Sequence, residues 1–193
     1  MNVGVLGLQG AVREHVRSLD ALGVTTRVIK TIDDLDGLNA LVLPGGESST
    51  MSLLGGDGVF RRLRELIADG LPTFGTCAGM ILLAKDAEGR QRAGLDAIDI
   101  SVTRNASGRQ VDSFETKLSI DGIGENVPAV FIRAPYVTRV GKGVEPMATH
   151  DGFVVMARQK SVLVASFHPE LTEDLRVHRY FIETISHQGK ESN

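Results

Sequence analysis

Cysteine is almost absent from this sequence: Cys77 is the one cysteine among 193 residues, and there is no tryptophan. A single cysteine excludes an internal disulfide and any metal site built from several cysteines. The formal net charge is −3 at pH 7 and the basic residues are scattered, which argues against a nucleic-acid or membrane surface. No apolar run approaches the roughly 20 residues that span a bilayer. Residues 1–5 lack the features of a signal peptide, so we expect a cytoplasmic protein.

Apolar residues make up 42% of the chain, which is enough for a sizeable buried core. The length suits one compact α/β domain over residues 1–193. No internal repeat, low-complexity segment or linker divides the sequence, and we expect only the tail 188–193 to fray.

The first half of the chain alternates short apolar runs with helical patterns. Residues 3–8 predict a buried strand, residues 11–22 a helix that ends at Gly23, and residues 24–29 a second strand. This β-α-β order predicts a parallel, right-handed crossover. Further strands are predicted at 40–43 and 71–74, with helices at 51–54 and 60–70.

The second half changes to short strands separated by turn signals. These strands are predicted at residues 97–102, 117–120, 130–132, 137–140, 154–156 and 162–166. We interpret them as antiparallel strands added to a doubly wound, mostly parallel sheet. Residues 174–186 predict a closing helix with one apolar side formed by Leu175, His178, Phe181, Ile182 and Ile185.

Cys77 lies in the sequence Gly-Thr-Cys-Ala-Gly between a predicted strand and the start of a helix. This is the cysteine form of the nucleophile elbow, a strained turn whose flanking glycines relieve crowding. The helix N-terminus there favours a thiolate, and the N–H of Ala78 is suited to donate to an oxyanion. A free cysteine is more often a small buried apolar residue, but the flanking glycines favour a nucleophile.

The last predicted strand leads into His168-Pro169-Glu170. Residues two apart in an extended segment point to the same side, so Glu170 can accept a hydrogen bond from one ring nitrogen of His168. The other nitrogen would then face Cys77, which gives a nucleophile, a base and an orienting carboxylate. The remaining histidines lack such a setting: His15, His150, His178 and His187.

Residues 44–50, Pro-Gly-Gly-Glu-Ser-Ser-Thr, follow the strand predicted at 40–43. Open α/β sheets bind ligands in loops of this kind, although a Gly-Gly pair also occurs in ordinary turns. Arg104 and Arg133 follow later strands and could grip a carboxylate through two parallel hydrogen bonds. Taken singly, each arginine is more often a surface residue.

The glycine loop, the elbow and the late His-Pro-Glu, in that order, resemble the class I (triad) glutamine amidotransferases. Among them, the chain resembles the glutaminase subunits of pyridoxal 5′-phosphate synthase. The segments that carry this resemblance are 7–11, 44–48, 104–110, 113–115, 131–135 and 166–171. One departure is Ser107, where that family usually has an aromatic residue.

The resemblance implies a flavodoxin-like class I amidotransferase fold and hydrolysis of L-glutamine to L-glutamate and ammonia, without a cofactor or metal. Cys77 would be the nucleophile, His168 the base and Glu170 its orienting partner, with the N–H groups of Gly46 and Ala78 as oxyanion hole. The residues implied to bind glutamine are Gly46, Glu47, Ser48, Arg104, Ile132 and Arg133.

The resemblance also implies a partner, a separate (β/α)8 synthase subunit. That subunit would take the ammonia and make pyridoxal 5′-phosphate from a pentose phosphate and a triose phosphate. Family members tend to be poorly active until docked, so we expect that the Gly46 peptide of the free subunit can be turned away from donation.

Three alternatives stay open at this point. Another triad amidotransferase subunit, such as that of histidine biosynthesis, would share the elbow but would not be expected to carry segments 104–110 and 131–135. A non-catalytic α/β binding or regulatory module would not need Cys77, His168 and Glu170. A cysteine protease or esterase on the same elbow would act on peptides or esters instead of glutamine.

Overall fold

The computed structural model of the chain describes residues 1–89, 94–103 and 113–185. The predicted run 104–110, with Arg104, and the tail 188–193 lie outside these residues. The strands are β1 (Asn2–Leu6), β2 (Thr25–Ile29), β3 (Ala40–Leu43), β4 (Thr73–Thr76), β5 (Ala84–Ala87), β6 (Ile98–Thr103), β7 (Ser113–Ile120), β8 (Gly124–Ile132), β9 (Tyr136–Val140), β10 (Glu145–His150), β11 (Phe153–Gln159) and β12 (Val162–Ala165). The α-helices are α1 (Val12–Ala21), α2 (Ser48–Ala68), α3 (Ala78–Leu83) and α4 (Arg176–Tyr180).

In the described part of the chain, ten strands form one sheet. Their order is β2–β1–β3–β4–β12–β11–β9–β6–β5, with β10 paired to β11. The pairs from β2 to β12 are all parallel, whereas β11 is antiparallel to β12, β9 and β10. The parallel order is that of a flavodoxin-like, doubly wound sheet. This confirms the predicted fold class, a mostly parallel sheet with added antiparallel strands.

The remaining two strands, β7 and β8, form a separate antiparallel hairpin. The sequence predicted strands in this region but placed them in the main sheet, because alternation along a strand does not identify its partner. Strands β5 and β10 were not predicted. The sequence of β5, Ala-Lys-Asp-Ala, has two exposed polar residues, and β10 contains Pro146. Both features weaken a strand pattern.

Side chains from the parallel strands divide between two buried clusters on opposite faces of the sheet. Along β3, Leu41 and Leu43 join the cluster that includes residues of α2 and α3. Ala40 and Val42 join the cluster that includes residues of α1, α4 and the hairpin. This division follows from the period of two along a strand, and it explains why the central strands are apolar throughout.

Helix α2 joins the two helices predicted at 51–54 and 60–70. A kink separates its halves at Gly56, which has φ 61° and ψ 177°, a conformation open essentially to glycine alone. The closing helix predicted at 174–186 is observed as α4, followed by a π-helical turn at Phe181–Ile185. Among the described residues, no helix has the length and apolar character needed to cross a membrane.

The carboxyl ends of β1, β3, β4 and β12 meet at one edge of the sheet, because these neighbouring strands are parallel. The residues that follow them include Gln9, Gly45, Cys77 and His168. The fold therefore gathers the predicted functional motifs at this edge.

Candidate active site

Cys77 occupies a strained turn between β4 and α3. Its φ of 47° and ψ of −102° place it at positive φ, which is uncommon for a residue with a side chain. Its N–H donates a hydrogen bond to the carbonyl of Ala165 in β12 at 2.8 Å. Only 7% of Cys77 is exposed. The turn thus holds the thiol close to the end of the last strand.

The flanking glycines are required by the close packing of this turn. A Cβ at Gly79 would overlap the carbonyl oxygen of Leu43, which is backbone and cannot move aside cheaply. At Gly75, a Cβ would lie 2.7 Å from the carbonyl carbon of Gly79. Contacts below 3 Å exclude any larger residue without a shift of the backbone. The geometry therefore has the strand-turn-helix form that the sequence predicts.

His168 and Glu170 lie directly after β12. The N–H of His168 donates to the carbonyl of Val130 in β8 at 2.8 Å, which ties this loop to the hairpin. His168 Nδ1 lies 2.8 Å from Glu170 Oε1, within a short 3₁₀ turn at Pro169–Leu171. Glu170 is fully buried. The hydrogen bond expected from their spacing is therefore present.

Electrostatics around this pair favour an imidazolium beside a carboxylate. Burial alone would lower the pKa of His168, but its interactions with Cys77 and Glu170 outweigh that effect and raise the pKa to about 10. Burial would raise the pKa of Glu170, and the nearby His15 and His168 lower it instead. His168 Nε2 is buried and makes no hydrogen bond with the described residues. The Cys77 side chain is nevertheless close enough to contribute to the raised pKa of His168.

The predicted glycine loop lies against the same pair. A Cβ at Gly45 would overlap His168 Cε1 and would lie 3.3 Å from Cys77 Cβ. The carbonyl of Gly45 accepts a hydrogen bond from the N–H of Ala11 at 3.0 Å, and the Gln9 side chain accepts one from the N–H of Glu47 at 2.6 Å. The loop after β1 therefore supports the loop after β3 at the site.

Glu47 caps the N-terminus of helix α2. Its carboxylate accepts hydrogen bonds from the N–H of Ser49 at 3.3 Å and from the N–H and hydroxyl of Thr50 at 2.8 and 2.9 Å. Ser48 is buried, and its carbonyl accepts a hydrogen bond from the Ser52 hydroxyl at 3.0 Å. Gly46, which precedes Glu47, is exposed. Any contact of Glu47 with a substrate ammonium would have to share the carboxylate with the helix cap.

The hairpin contributes the end of β8. The carbonyl oxygen of Ile132 lies 3.9 Å from Cys77 Sγ, and Arg133 follows with an exposed side chain and a φ of 44°. Ala78 is the first residue of α3, where backbone N–H groups have no partner within the helix. Arg104, the remaining predicted substrate-binding residue, lies outside the described residues.

Two histidines that the sequence analysis set aside lie beneath the pair. His15 Nε2 is 3.5 Å from Glu170 Oε2 and 3.0 Å from Thr76 Oγ1, and His15 Nδ1 is 3.0 Å from His178 Nε2. Burial lowers the pKa of His15, and burial together with His15 lowers that of His178 to about 3. The sequence analysis found no catalytic setting for these two histidines, and the structure places His15 beside Glu170 and His178 beside His15.

A signal for His15 was present in the sequence. His15 falls on the side of α1 that also carries Leu19, one turn later, and both are fully buried. A polar ring on the apolar side of a helix requires a partner. Among the residues that the structure describes, no group of histidine, cysteine, aspartate and glutamate residues is arranged to hold a metal ion.

Comparison with known proteins gives a consistent result. A sequence model of the SNO glutamine amidotransferase family matches residues 5–187. A protein named pyridoxal 5′-phosphate synthase subunit PdxT, from Corynebacterium jeikeium, is 55% identical over 99% of this chain and 100% of its own. The protein of that name from Carboxydothermus hydrogenoformans is 52% identical over 96% of this chain and 98% of its own.

Solved structures agree with these relatives. The crystal structure of a glutamine amidotransferase superposes with a TM-score of 0.90 at 46% identity, and covers 96% of this chain and 98% of that chain. A chain in the structure of PurLQS from Thermotoga maritima gives a TM-score of 0.68 at 14% identity, a likeness of fold alone. The predicted flavodoxin-like class I amidotransferase fold is confirmed.

Proposed function

The chain belongs to the SNO glutamine amidotransferase family, and we propose that it is the glutaminase subunit of a pyridoxal 5′-phosphate synthase with Cys77, His168 and Glu170 as its catalytic residues. The observation that carries the mechanism is Cys77 at positive φ on the strand-helix turn, beside a buried His168 hydrogen-bonded to Glu170. A nucleophile, a base and an orienting carboxylate in this order are the parts of a triad.

In the first chemical step the Cys77 thiolate, whose proton resides on His168, attacks the side-chain amide carbon of glutamine and forms a bond from Sγ to that carbon. The carbonyl π electrons move onto oxygen, and the N–H groups of Gly46 and Ala78 donate to that oxyanion. Each such donor is worth roughly 2.7–4 kcal/mol in other acyl-transfer enzymes. The protonated His168 then gives its proton to the departing nitrogen, because its raised pKa keeps the ring charged at neutral pH.

The second step releases glutamate. Loss of ammonia leaves a thioester on Cys77 and a neutral His168, which accepts a proton from water as the water oxygen attacks the thioester carbon. The bond from that carbon to sulfur breaks, and the enzyme returns to its starting state. Glu170 keeps Nδ1 of His168 protonated throughout, so that Nε2 exchanges the proton at the reacting atoms.

Substrate binding in this proposal uses residues around the thiol. The guanidinium groups of Arg104 and Arg133 suit the α-carboxylate of glutamine, and Glu47 suits its α-ammonium. Ser48 and Ile132, together with Gly46, complete the set. The helix cap made by Glu47 means that a substrate ammonium would join an existing set of donors on this carboxylate.

The partner in this proposal is a (β/α)8 synthase subunit that receives the ammonia. It combines the ammonia with a pentose phosphate and a triose phosphate to give pyridoxal 5′-phosphate. Docking completes the oxyanion hole through the Gly46 peptide, so the free subunit wastes little glutamine.

The alternatives differ in support. The relatives named PdxT match almost the whole chain, so they do not support a subunit of histidine biosynthesis. A non-catalytic module leaves the strained turn at Cys77 and the His168–Glu170 hydrogen bond without a purpose. A protease or esterase would turn over peptides or esters, which the assay below can include.

The test measures glutamate release and pyridoxal 5′-phosphate formation from glutamine and the two sugar phosphates. It uses the chain alone, the chain with its synthase subunit, and Cys77→Ala with that subunit. We expect both products from the intact pair and neither from the pair with Cys77→Ala. Ammonium chloride is the control, because added ammonia should restore pyridoxal 5′-phosphate formation by the pair that contains Cys77→Ala. Glutamate release that survives Cys77→Ala would contradict the mechanism, and glutamate without the vitamer would contradict the pathway.

A further inference from the structure

We propose that His15 is a positioning residue for His168 and Glu170. Its Nε2–H holds the second carboxylate oxygen of Glu170, and His178 fixes the tautomer of His15 that carries this hydrogen. The proposal rests on the roles given above to His168 and Glu170. His15 does not touch the thiol or the substrate positions, so it would act through Glu170.

The two oxygens of Glu170 have different surroundings. Oε1 lies 2.8 Å from His168 Nδ1, whereas Oε2 is buried and makes no hydrogen bond within the described residues. Nε2 of His15 lies 3.5 Å from Oε2. A buried carboxylate oxygen without a donor is unfavourable. A shift of roughly half an ångström would bring the His15 N–H within hydrogen-bond distance.

His15 also connects this oxygen to the elbow strand. Its Nε2 is 3.0 Å from the hydroxyl oxygen of Thr76, the residue that precedes Cys77. The ring is fully buried and packs edge-on against Phe74 with centroids 6.2 Å apart. One imidazole therefore spans the strand that carries the nucleophile and the turn that carries Glu170, and it can keep the two in register.

The tautomer of His15 follows from its neighbours. Nδ1 of His15 and Nε2 of His178 are 3.0 Å apart, so one donates and the other accepts. If His178 donates, His15 carries its hydrogen on Nε2, which faces Thr76 Oγ1 at 3.0 Å and Glu170 Oε2 at 3.5 Å. The opposite arrangement would aim a lone pair of His15 at the charged Oε2, and would leave a buried N–H at Nδ1 of His178 without an acceptor. The first arrangement is therefore favoured.

A neutral donor suits this position. The charged or titratable groups that face His15 are Glu170, His168, His178 and Glu14. Burial lowers the pKa of His15 although the charge of Glu170 opposes this effect, and the lowered pKa favours the neutral ring. The negative charge of Glu170 then remains available to the His168 imidazolium, while the carboxylate is prevented from rotating. A cation at this position would compete with His168 for that charge.

The decisive variants are His15→Gln and His15→Leu, with Ser18→Ala from the same buried side of α1 as the control. Gln keeps an N–H donor near the position of Nε2, whereas Leu fills the space without one. We expect His15→Leu to lower kcat for glutamine hydrolysis in the synthase complex by about 10- to 100-fold with KM unchanged, because a misplaced base slows chemistry and not binding. His15→Gln should recover most of that loss, and Ser18→Ala should leave kcat unchanged.

A second readout needs no glutamine. The proton on Nδ1 of His168 gives a resonance in ¹H–¹⁵N spectra whose position reports its bond to Glu170. His15→Leu should shift this resonance and its titration midpoint, and His15→Gln should restore both. Thermal unfolding then shows whether each variant is folded.

Several outcomes would overturn the proposal. One is a folded His15→Leu variant with wild-type kcat and an unshifted His168 resonance. Another is an equal loss of kcat in His15→Leu and His15→Gln, which would indicate that His15 contributes packing alone. If the unaltered complex fails to hydrolyse glutamine, the proposed function is wrong, but the resonance still tests the positioning role.

Discussion

Gly45 faces Cys77 and His168, and its lack of a side chain leaves room for the imidazole of His168. A Cβ there would overlap the His168 ring at Cε1 and would approach Cys77 Cβ to 3.3 Å. Its carbonyl also accepts the N–H of Ala11 at 3.0 Å, so the loop cannot easily retreat. The site is therefore sensitive to a single methyl group at this residue.

We expect Gly45→Ala to lower kcat by at least about tenfold, because the methyl group displaces His168 from Cys77. The measurement is glutamine hydrolysis by the complex, with the unfolding midpoint of the free subunit recorded alongside. The displaced ring is buried and hydrogen-bonded to Glu170, so we expect a loss of about 1–3 kcal/mol in unfolding free energy, although no positive φ requires glycine here. Full activity at unchanged stability would show that the loop moves aside freely.

At this scale the sequence predicts that Cys77, His168 and Glu170 come together, but it does not predict the residues that support them. Cys77 has flanking glycines, and His168 and Glu170 are two residues apart, so each carries a local signature. The contacts of His15 are to Thr76 and His178, which are 61 and 163 residues away along the chain. Such contacts exist only once the sheet has brought the helices together. Reading each histidine by its own neighbours therefore missed His15.

Among the elements, α2 shows how a local conformation decides continuity. Its sequence contains Gly55, Gly56 and Gly58 between two apolar helical stretches, and the glycines predicted an interruption. The two helical halves of α2 meet at a kink at Gly56, where the backbone is not helical. Glycine permits that kink, because φ 61° with ψ 177° is strained for any residue with a Cβ. The prediction of two helices on either side of these glycines is therefore confirmed.

Gly56→Ala and Gly58→Ala form a matched pair that tests the kink. A Cβ at Gly56 meets nothing within 4 Å, so any loss comes from backbone strain, and we expect about 1–3 kcal/mol less unfolding free energy. At Gly58, a Cβ lies 3.1 Å from Ile32 Cδ1, which is exposed and can move. There we expect a gain of up to about 1 kcal/mol from helix propensity.

Chemical denaturation of both variants measures this difference. Equal and small effects at the two positions would mean that the kink relaxes into a straight helix without strain.

Over the whole molecule, the buried histidine cluster, which consists of His15, His168 and His178, makes the unfolding free energy depend on pH. The pKa of His178 is lowered to about 3 from 6.5. As pH falls from 6.5 towards 3, the unfolded chain binds a proton that the native state does not, so the native state loses stability. The pKa of His168 is raised to about 10, so the stability that it contributes is complete below pH 6.5 and is lost as pH rises towards 10.

We therefore expect the unfolding free energy to be highest near pH 6.5 and to fall on both sides. His178→Gln should flatten the acid side, because glutamine keeps a donor to His15 and does not titrate. The removed slope is at most about 1.4 kcal/mol per pH unit for one proton. Urea denaturation between pH 4.5 and 9 provides the curve, with His150→Gln, a histidine outside the cluster, as control. Parallel acid limbs for wild type and His178→Gln would contradict this account.

The contact between α1 and α4 also has a consequence for how the protein is made. His15 and Cys77 leave the ribosome early, whereas His168, Glu170 and His178 are among the later residues to be synthesised. A domain generally folds as a unit, which requires its later residues. A nascent chain therefore carries the thiol long before its base, and under the proposed mechanism it releases no ammonia. Activity would begin only when the segment that carries His168 and Glu170 has folded beside Cys77, so that synthesis itself prevents an unfinished subunit from consuming glutamine.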